Sequence, residues 1–290
     1  MKTLIPIVLI VAFLTVAYLV FIKFYTKAIK SKNLIYDLEN GNEIKSIKDI
    51  VYKSVPGKPL LMDVYQPVNA DKNRKVPAVI MIHGDGSESY IRDAKDWAMF
   101  RQYGRLIAGN GLACVTFNHR AGGMVSGYNK IKEASEDVLN LVDHVRRNAD
   151  AWNIDENRIC IWGFSSGSIY LSLFLGSMPE YVKCIVSYYG LLDAKAWTKK
   201  NEAVLKRYYP ENYLSSGSIG KANLMVVKAG RDTKCILKSI DSFIDAARSN
   251  RIEFSYIIHP NGKHSFDIMN DDEETRKIIG RTLDFVKQNI

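Results

Sequence analysis

The sequence predicts an α/β fold: a mostly parallel central sheet with helices on both faces. Three observations lead there. Short apolar, strand-like runs alternate with helical periodicity from about residue 47 to the end. Several of these runs are apolar almost without interruption, as strands buried on both faces are. Glycines and polar residues then follow the runs directly, at the strand ends where such sheets bind ligands.

In order, 50–53 and 60–66 read as two short strands joined by the Pro56-Gly57 turn, an antiparallel edge. The run 76–83 is a buried strand. A helix over about 94–108 is closed by Gly109-Asn110-Gly111, residues that tolerate positive φ. Then come a strand at 112–118, a helix at 131–148, a strand at 158–164 and a helix from about 166. Strands at 184–189, 224–229 and 253–259 follow, with helices near 236–249 and 271–288. The stretch 193–222 interrupts the alternation and reads as a small lid. It is rich in Lys and Tyr, and either a solvated amphipathic helix or a cover that favours acidic or aromatic ligands fits it.

Ahead of this domain, 4–22 is an uncharged apolar run. A helix of that length spans about 28 Å, close to the hydrocarbon thickness of a bilayer. The run ends in Tyr18-Leu19-Val20-Phe21-Ile22-Lys23 with no small-x-small cleavage site, which favours a single-pass anchor over a cleaved signal peptide. We therefore divide the chain into 1–32, a transmembrane helix with its basic flank, and 33–290, one α/β domain with no linker or repeat inside it. One lysine precedes the run and four follow it. The positive-inside bias favours a cytoplasmic domain, yet a very short N-terminal tail can stay inside and send the domain out, so these charges assign neither side.

The net charge of +9 invites a nucleic-acid reading, but five of the 40 basic residues and none of the 31 acidic ones lie in 1–32. More than half the excess thus flanks the apolar run, where lysines meet anionic headgroups. The remainder has no basic stripe with interleaved aromatics, which argues against nucleic acid. Cys114, Cys160 and Cys184 fall in apolar strand-like runs and Cys235 stands alone. Buried free thiols are expected, and the spacings match no zinc site.

The strand at 158–164 runs into Gly163-Phe164-Ser165-Ser166-Gly167, a G-x-S-x-G between strand and helix. In that setting the sharp turn strains the serine and exposes its hydroxyl, and the glycines make room for it. A hydroxyl is a weak nucleophile until a base takes its proton. Among five histidines, His264 stands in a polar loop after the last strand; His83 and His119 end other strands, His259 lies inside a strand and His144 on a helix. The base needs a carboxylate to hold its tautomer. Asp232 follows the strand before that of His264; Asp193 is the rival, and helix capping is the plain alternative for either. Ser165, Asp232 and His264 give the chain order Ser…Asp…His. Strand 76–83 ends in His83-Gly84-Asp85-Gly86, where small residues let backbone amides approach a tetrahedral oxygen, and the Ser166 amide adds a donor.

These features, with Met62-Asp63-Val64-Tyr65-Gln66-Pro67, Asn118-His119-Arg120, Asp137 and the approach Asp155-Glu156-Asn157-Arg158-Ile159, resemble the α/β-hydrolase family over roughly 45–290. The likeness is to hormone-sensitive-lipase-like or carboxylesterase-like branches with an HGGG-type oxyanion motif. The resemblance implies Asp85 and Gly86 as oxyanion donors, and Arg120 and Asp137 as structural residues. Asp85 stands where that motif has glycine, and His119 where an aromatic is usual. The expected reaction is hydrolysis of a small acyl ester through an acyl-enzyme, with no metal or organic cofactor implied. A small-peptide or amide hydrolase with the same triad is one alternative. The other, suggested by Asp85 alone, is an inactive membrane-tethered binding protein.

Overall fold

The computed structural model describes residues 15, 23–24, 26–36, 43–68, 74–176, 179–197, 202–214 and 223–290. The anchor expected at 4–22 lies outside them apart from Thr15. No helix among the described residues is long and apolar enough to cross a membrane.

Eight strands form one sheet: β1 (Ile44–Val55), β2 (Lys58–Pro67), β3 (Val76–Ile82), β4 (Ala113–Phe117), β5 (Ile154–Phe164), β6 (Val182–Tyr188), β7 (Asn223–Ala229) and β8 (Ser255–His259). Their order is β1-β2-β4-β3-β5-β6-β7-β8. β2 runs against both its neighbours, and every pairing from β4 onward is parallel. The expected antiparallel edge is the β1–β2 hairpin, whose turn uses Gly57 at φ 88°. Its strands extend well beyond 50–53 and 60–66, because β1 is half exposed and carries little apolar signal.

Four long helices cover the sheet: α1 (Ala98–Gly109), α2 (Ile131–Arg147), α3 (Lys234–Ser249) and α4 (Glu273–Asn289). Side chains alternate across each strand. In β3, Ile80 and Ile82 join Val138 and Leu141 of α2 and Ile240 and Phe243 of α3 in one core layer. Val79 and Met81 join Tyr103 and Leu106 of α1 and Ile279 and Leu283 of α4 in the other. The helix expected from 166 is instead a tight 3-10 segment, Ser165–Leu171, continued by one α-turn, Ser172–Leu175. The described parts of the lid are short turns such as Glu202–Leu205 and Pro210–Tyr213. Cys114, Cys160 and Cys184 are buried free thiols, as expected, and Cys235 is partly exposed.

Two buried carboxylates tie the antiparallel edge to the rest. Asp63 on β2 pairs with Lys95, itself buried, at 2.9 Å, and Lys95 also reaches Asp49 and Asp96. Asp137 on α2 accepts two bonds from the Arg120 guanidinium at 2.8 Å each, the Arg120 amide at 3.1 Å and Lys53 of β1 at 2.7 Å. These donors hold its carboxyl below the usual range despite burial. Removing one partner of such a pair strands the others, so Asp137→Ala should cost about 3 kcal/mol in urea unfolding, with the cooperativity slope unchanged.

Candidate active site

The site begins where β5 ends. Ser165 has φ 52°, a left-handed conformation that side-chain-bearing residues adopt only under constraint. Both flanking glycines are required by contact. A Cβ on Gly167 would lie 2.3 Å from the His83 carbonyl oxygen, and one on Gly163 2.9 Å from Ser168 Cα. The turn thus aims Ser165 at the carboxyl ends of the strands.

Two further loops are stitched together above it. The Gly230 amide donates to the His259 carbonyl and the Arg231 amide to the Gly262 carbonyl, each at 2.8 Å. That zipper sets the loop after β7, carrying Asp232, against the loop after β8, carrying His264. Ser165 Oγ lies 2.8 Å from His264 Nε2, and His264 Nδ1 lies 2.7 Å from Asp232 Oδ2. An ionised carboxylate only accepts, so Nδ1 carries the proton, and Nε2 of the neutral ring accepts from the Ser165 hydroxyl. The Asp232 side chain is fully buried, and its other oxygen accepts the Thr233 amide at 2.6 Å.

The remaining candidates lie elsewhere. Asp193 accepts the Lys195 amide and caps the turn Ala194–Ala196. His83 and His119 stack face to face, ring centroids 3.8 Å apart, each with Nδ1 on a neighbouring backbone carbonyl. Burial and the adjacent His119 push the pKa of His83 down. His259 joins β8 to α4 through Thr275 and Asp272, and His144 packs against Trp152.

The oxyanion region differs from the expectation of open amides at Asp85 and Gly86. The Asp85 amide donates to Ser166 Oγ at 2.7 Å, and the Gly86 amide to the carboxylate of Asp85 at 2.8 Å. The same carboxylate accepts the amides of Gly122 and Met124, so it is turned onto that loop. Burial raises the Asp85 pKa, with His119 and the three amides opposing. The Ser166 amide lies in the first turn of the 3-10 segment, where helical donors have no intrahelical acceptor. The Ser166 hydroxyl was not anticipated, because the motif draws attention to backbone groups alone.

Two other residues escaped the sequence reading. The Tyr189 ring packs edge-on against His264 at 5.0 Å, and its hydroxyl donates to Asp267. Asp267 is fully buried and also accepts from Tyr103 at 3.0 Å; burial pushes its pKa up to about 6. The available signals were positional: Tyr189 directly follows β6, and Asp267 stands three residues after His264. Ser165 and His264 open onto a cavity of about 300 Å³ walled by Trp97, Phe100, Met124, Phe164, Leu191 and Ile236. Among the described residues no group of His, Cys, Asp or Glu side chains is arranged to hold a metal ion.

The strand order, the strained serine turn and the Ser–His–Asp contacts at the strand ends define an α/β-hydrolase fold. The chain belongs to the BD-FAE family, whose model matches residues 62–230. Endo-1,4-beta-xylanase B of Butyrivibrio fibrisolvens is 24% identical over 162 residues, 49% of this chain and 26% of that protein. The chain thus spans about a quarter of that relative. Among solved structures, a truncated carbohydrate esterase from gut microbiota aligns over 88% of this chain and 100% of its own, with TM-score 0.65 and 18% identity. An esterase from the Planctomycetes species Thermogutta terrifontis aligns over 88% and 95%, with TM-score 0.65 and 16% identity. That esterase also has a structure phosphonylated by cyclosarin. The Porphyromonas gingivalis dipeptidyl peptidase 4 aligns over 87% of this chain and 36% of its own, with TM-score 0.64 and 17% identity. At these identities the likeness is one of fold.

Asp267 supplies a test by pH. A carboxyl whose folded pKa lies above its unfolded value binds more protons when folded, so its contribution to stability falls as pH rises from about 4 to about 6. Asp267→Asn should remove that decline relative to wild type in urea unfolding across the window; an unchanged difference would mean that Asp267 does not titrate there.

Proposed function

We propose that the protein is a serine hydrolase that cleaves a carboxylic ester through an acyl-enzyme, held to a membrane by 4–22. The observation that carries the reading is the continuous relay from Ser165 Oγ to His264 to Asp232, set at a strained turn over an apolar cavity. Ser165 Oγ attacks the ester carbonyl carbon while His264 Nε2 takes the hydroxyl proton. Asp232 keeps Nδ1–H in place and stabilises the imidazolium. His264 then protonates the departing alcohol oxygen as the C–O bond breaks. Water, deprotonated by the same nitrogen, cleaves the acyl-serine ester and regenerates the hydroxyl.

The tetrahedral oxygen is held by the Ser166 amide and by the Asp85 amide, once the Ser166 hydroxyl turns away from it. Gly86 stays bound to the Asp85 carboxylate and contributes through the shape of the loop. The engagement of the Asp85 carboxylate by the 122–124 loop supports this reading over an inactive binding protein, which Asp85 alone suggests. The ester reading draws on the esterases of similar fold, one of them modified by a phosphonylating agent.

The full-length protein should take up a fluorophosphonate at Ser165, seen as one mass addition, and hydrolyse short acyl esters. Ser165→Ala should abolish the labelling and lower kcat by about 10⁴-fold or more. An active S165A protein would dismiss the nucleophile. Ser166→Ala frees the Asp85 amide and should leave kcat within about threefold of wild type or above it; a hundredfold loss, the usual effect of deleting an oxyanion donor, would make the hydroxyl itself part of the hole.

A further inference from the structure

The segment joining the apolar run to the domain is docked beside the pocket. Residues 26–30 are helical. Lys30 pairs with Asp93, and its ammonium sits 5.5 Å from the ring centroids of both Tyr90 and Trp97. Those two rings line the cavity that holds Ser165 and His264. The chain then stays pinned: the Leu34 amide donates to the Gln102 side chain, and Leu34 is buried in the α1–α4 core layer. The Ile35 amide donates to the Asp267 carbonyl at 2.7 Å, on the loop that carries His264.

This docking limits where a bilayer can lie. Seven residue steps separate Lys30 from Lys23, about 11 Å along a helix and no more than about 25 Å however the chain runs. A domain of this size is about 45 Å across. An anchor ending at Ile22 therefore brings the membrane surface to the pocket side of the domain, and the opposite pole cannot be reached. The rim suits that neighbour. Trp197, 44% exposed, stands at the cavity with its indole N–H on the Met124 carbonyl, and Phe24 is 69% exposed. Amphipathic aromatics favour the interface, and Lys23, Lys27 and Lys32 in the same segment favour anionic headgroups.

We infer that the docked segment seats the pocket mouth against the bilayer, so that the enzyme takes its acyl ester from a membrane-resident amphiphile. The inference rests on the hydrolase and anchor readings above. The acyl group would enter the apolar cavity from the interface, without the ester first partitioning into water.

The test uses the full chain in phosphatidylcholine–phosphatidylserine vesicles. A fluorescent fluorophosphonate is attached to Ser165, and the label is challenged with lipids spin-labelled at the headgroup. Turnover is compared between a lipid-tailed ester in the same vesicles and a water-soluble ester of the same acyl group. We expect strong quenching. Inserting about 20 Gly/Ser residues between Lys23 and Phe24, ahead of the docked Lys30, lengthens the tether by about 25 Å. It should relieve the quenching and lower the ratio of bilayer to soluble turnover about tenfold, with soluble turnover unchanged. A labelled, vesicle-bound protein that is unquenched, or whose ratio ignores the insertion, overturns the inference while leaving the hydrolase standing. Failure of labelling removes the hydrolase reading, and failure to float with vesicles removes the anchor; either takes the inference with it.

Discussion

The backbone of Ser165, held at φ 52° between β5 and the segment that follows, is the constraint from which the site is built. An L-residue stays there only where its surroundings leave no alternative. Gly167 lets the segment come down against the His83 and Ile82 carbonyls, and Gly163 lets it close over Ser168. The Ser165 carbonyl accepts the Leu191 amide at 2.9 Å, so the loop after β6 holds the turn from the other side. Relaxing the turn would move the hydroxyl away from His264 and also lift the Ser166 hydroxyl from the Asp85 amide. The Ser165 hydroxyl and the loop of Asp85 are therefore positioned by one strained residue.

Asp85 shows how a side chain that conflicts with a motif is accommodated by its neighbours. A carboxylate beside a developing oxyanion would oppose it, and burying it alone would be costly. Three backbone amides solve both problems, because they satisfy the carboxylate while turning it onto residues 122–124. The consequence is that the Gly86 donor is consumed. A tetrahedral oxygen at this turn would be left to the remaining amides.

Much of this was legible in the sequence wherever chemistry fixes residue type and position together. The apolar runs of β3 to β7 marked the central sheet, since a strand buried on both faces has little choice of side chain. Ser165, Asp232 and His264 meet because each follows a strand of one parallel sheet, and parallel strands deliver their ends to one edge. β1 was harder to delimit: it is mostly half exposed, and Lys45, Lys48 and Lys53 interrupt its pattern. The segment after Ser165 reads as helix by composition, but the packing of Gly163 and Gly167 winds it more tightly. Hydrogen bonds that turn on a side-chain rotamer, such as that of Ser166 Oγ, leave no periodic trace. Nor do contacts distant in sequence, such as Tyr103 with Asp267.

The two carboxylates around His264, both with buried side chains, differ through their partners rather than residue type. Asp232 meets Nδ1 directly and has the Thr233 amide on its second oxygen, so each of its oxygens has an N–H partner. Asp267 accepts from the phenols of Tyr103 and Tyr189 in a fully buried site, and burial there favours the neutral form. One carboxylate thus holds His264 at Nδ1, while the other holds the Tyr189 ring that packs against it. Because the Ile35 amide donates to the Asp267 carbonyl, the chain that follows the apolar run is fastened to the helical turn just after His264, which makes the attachment of that segment part of the geometry of the site.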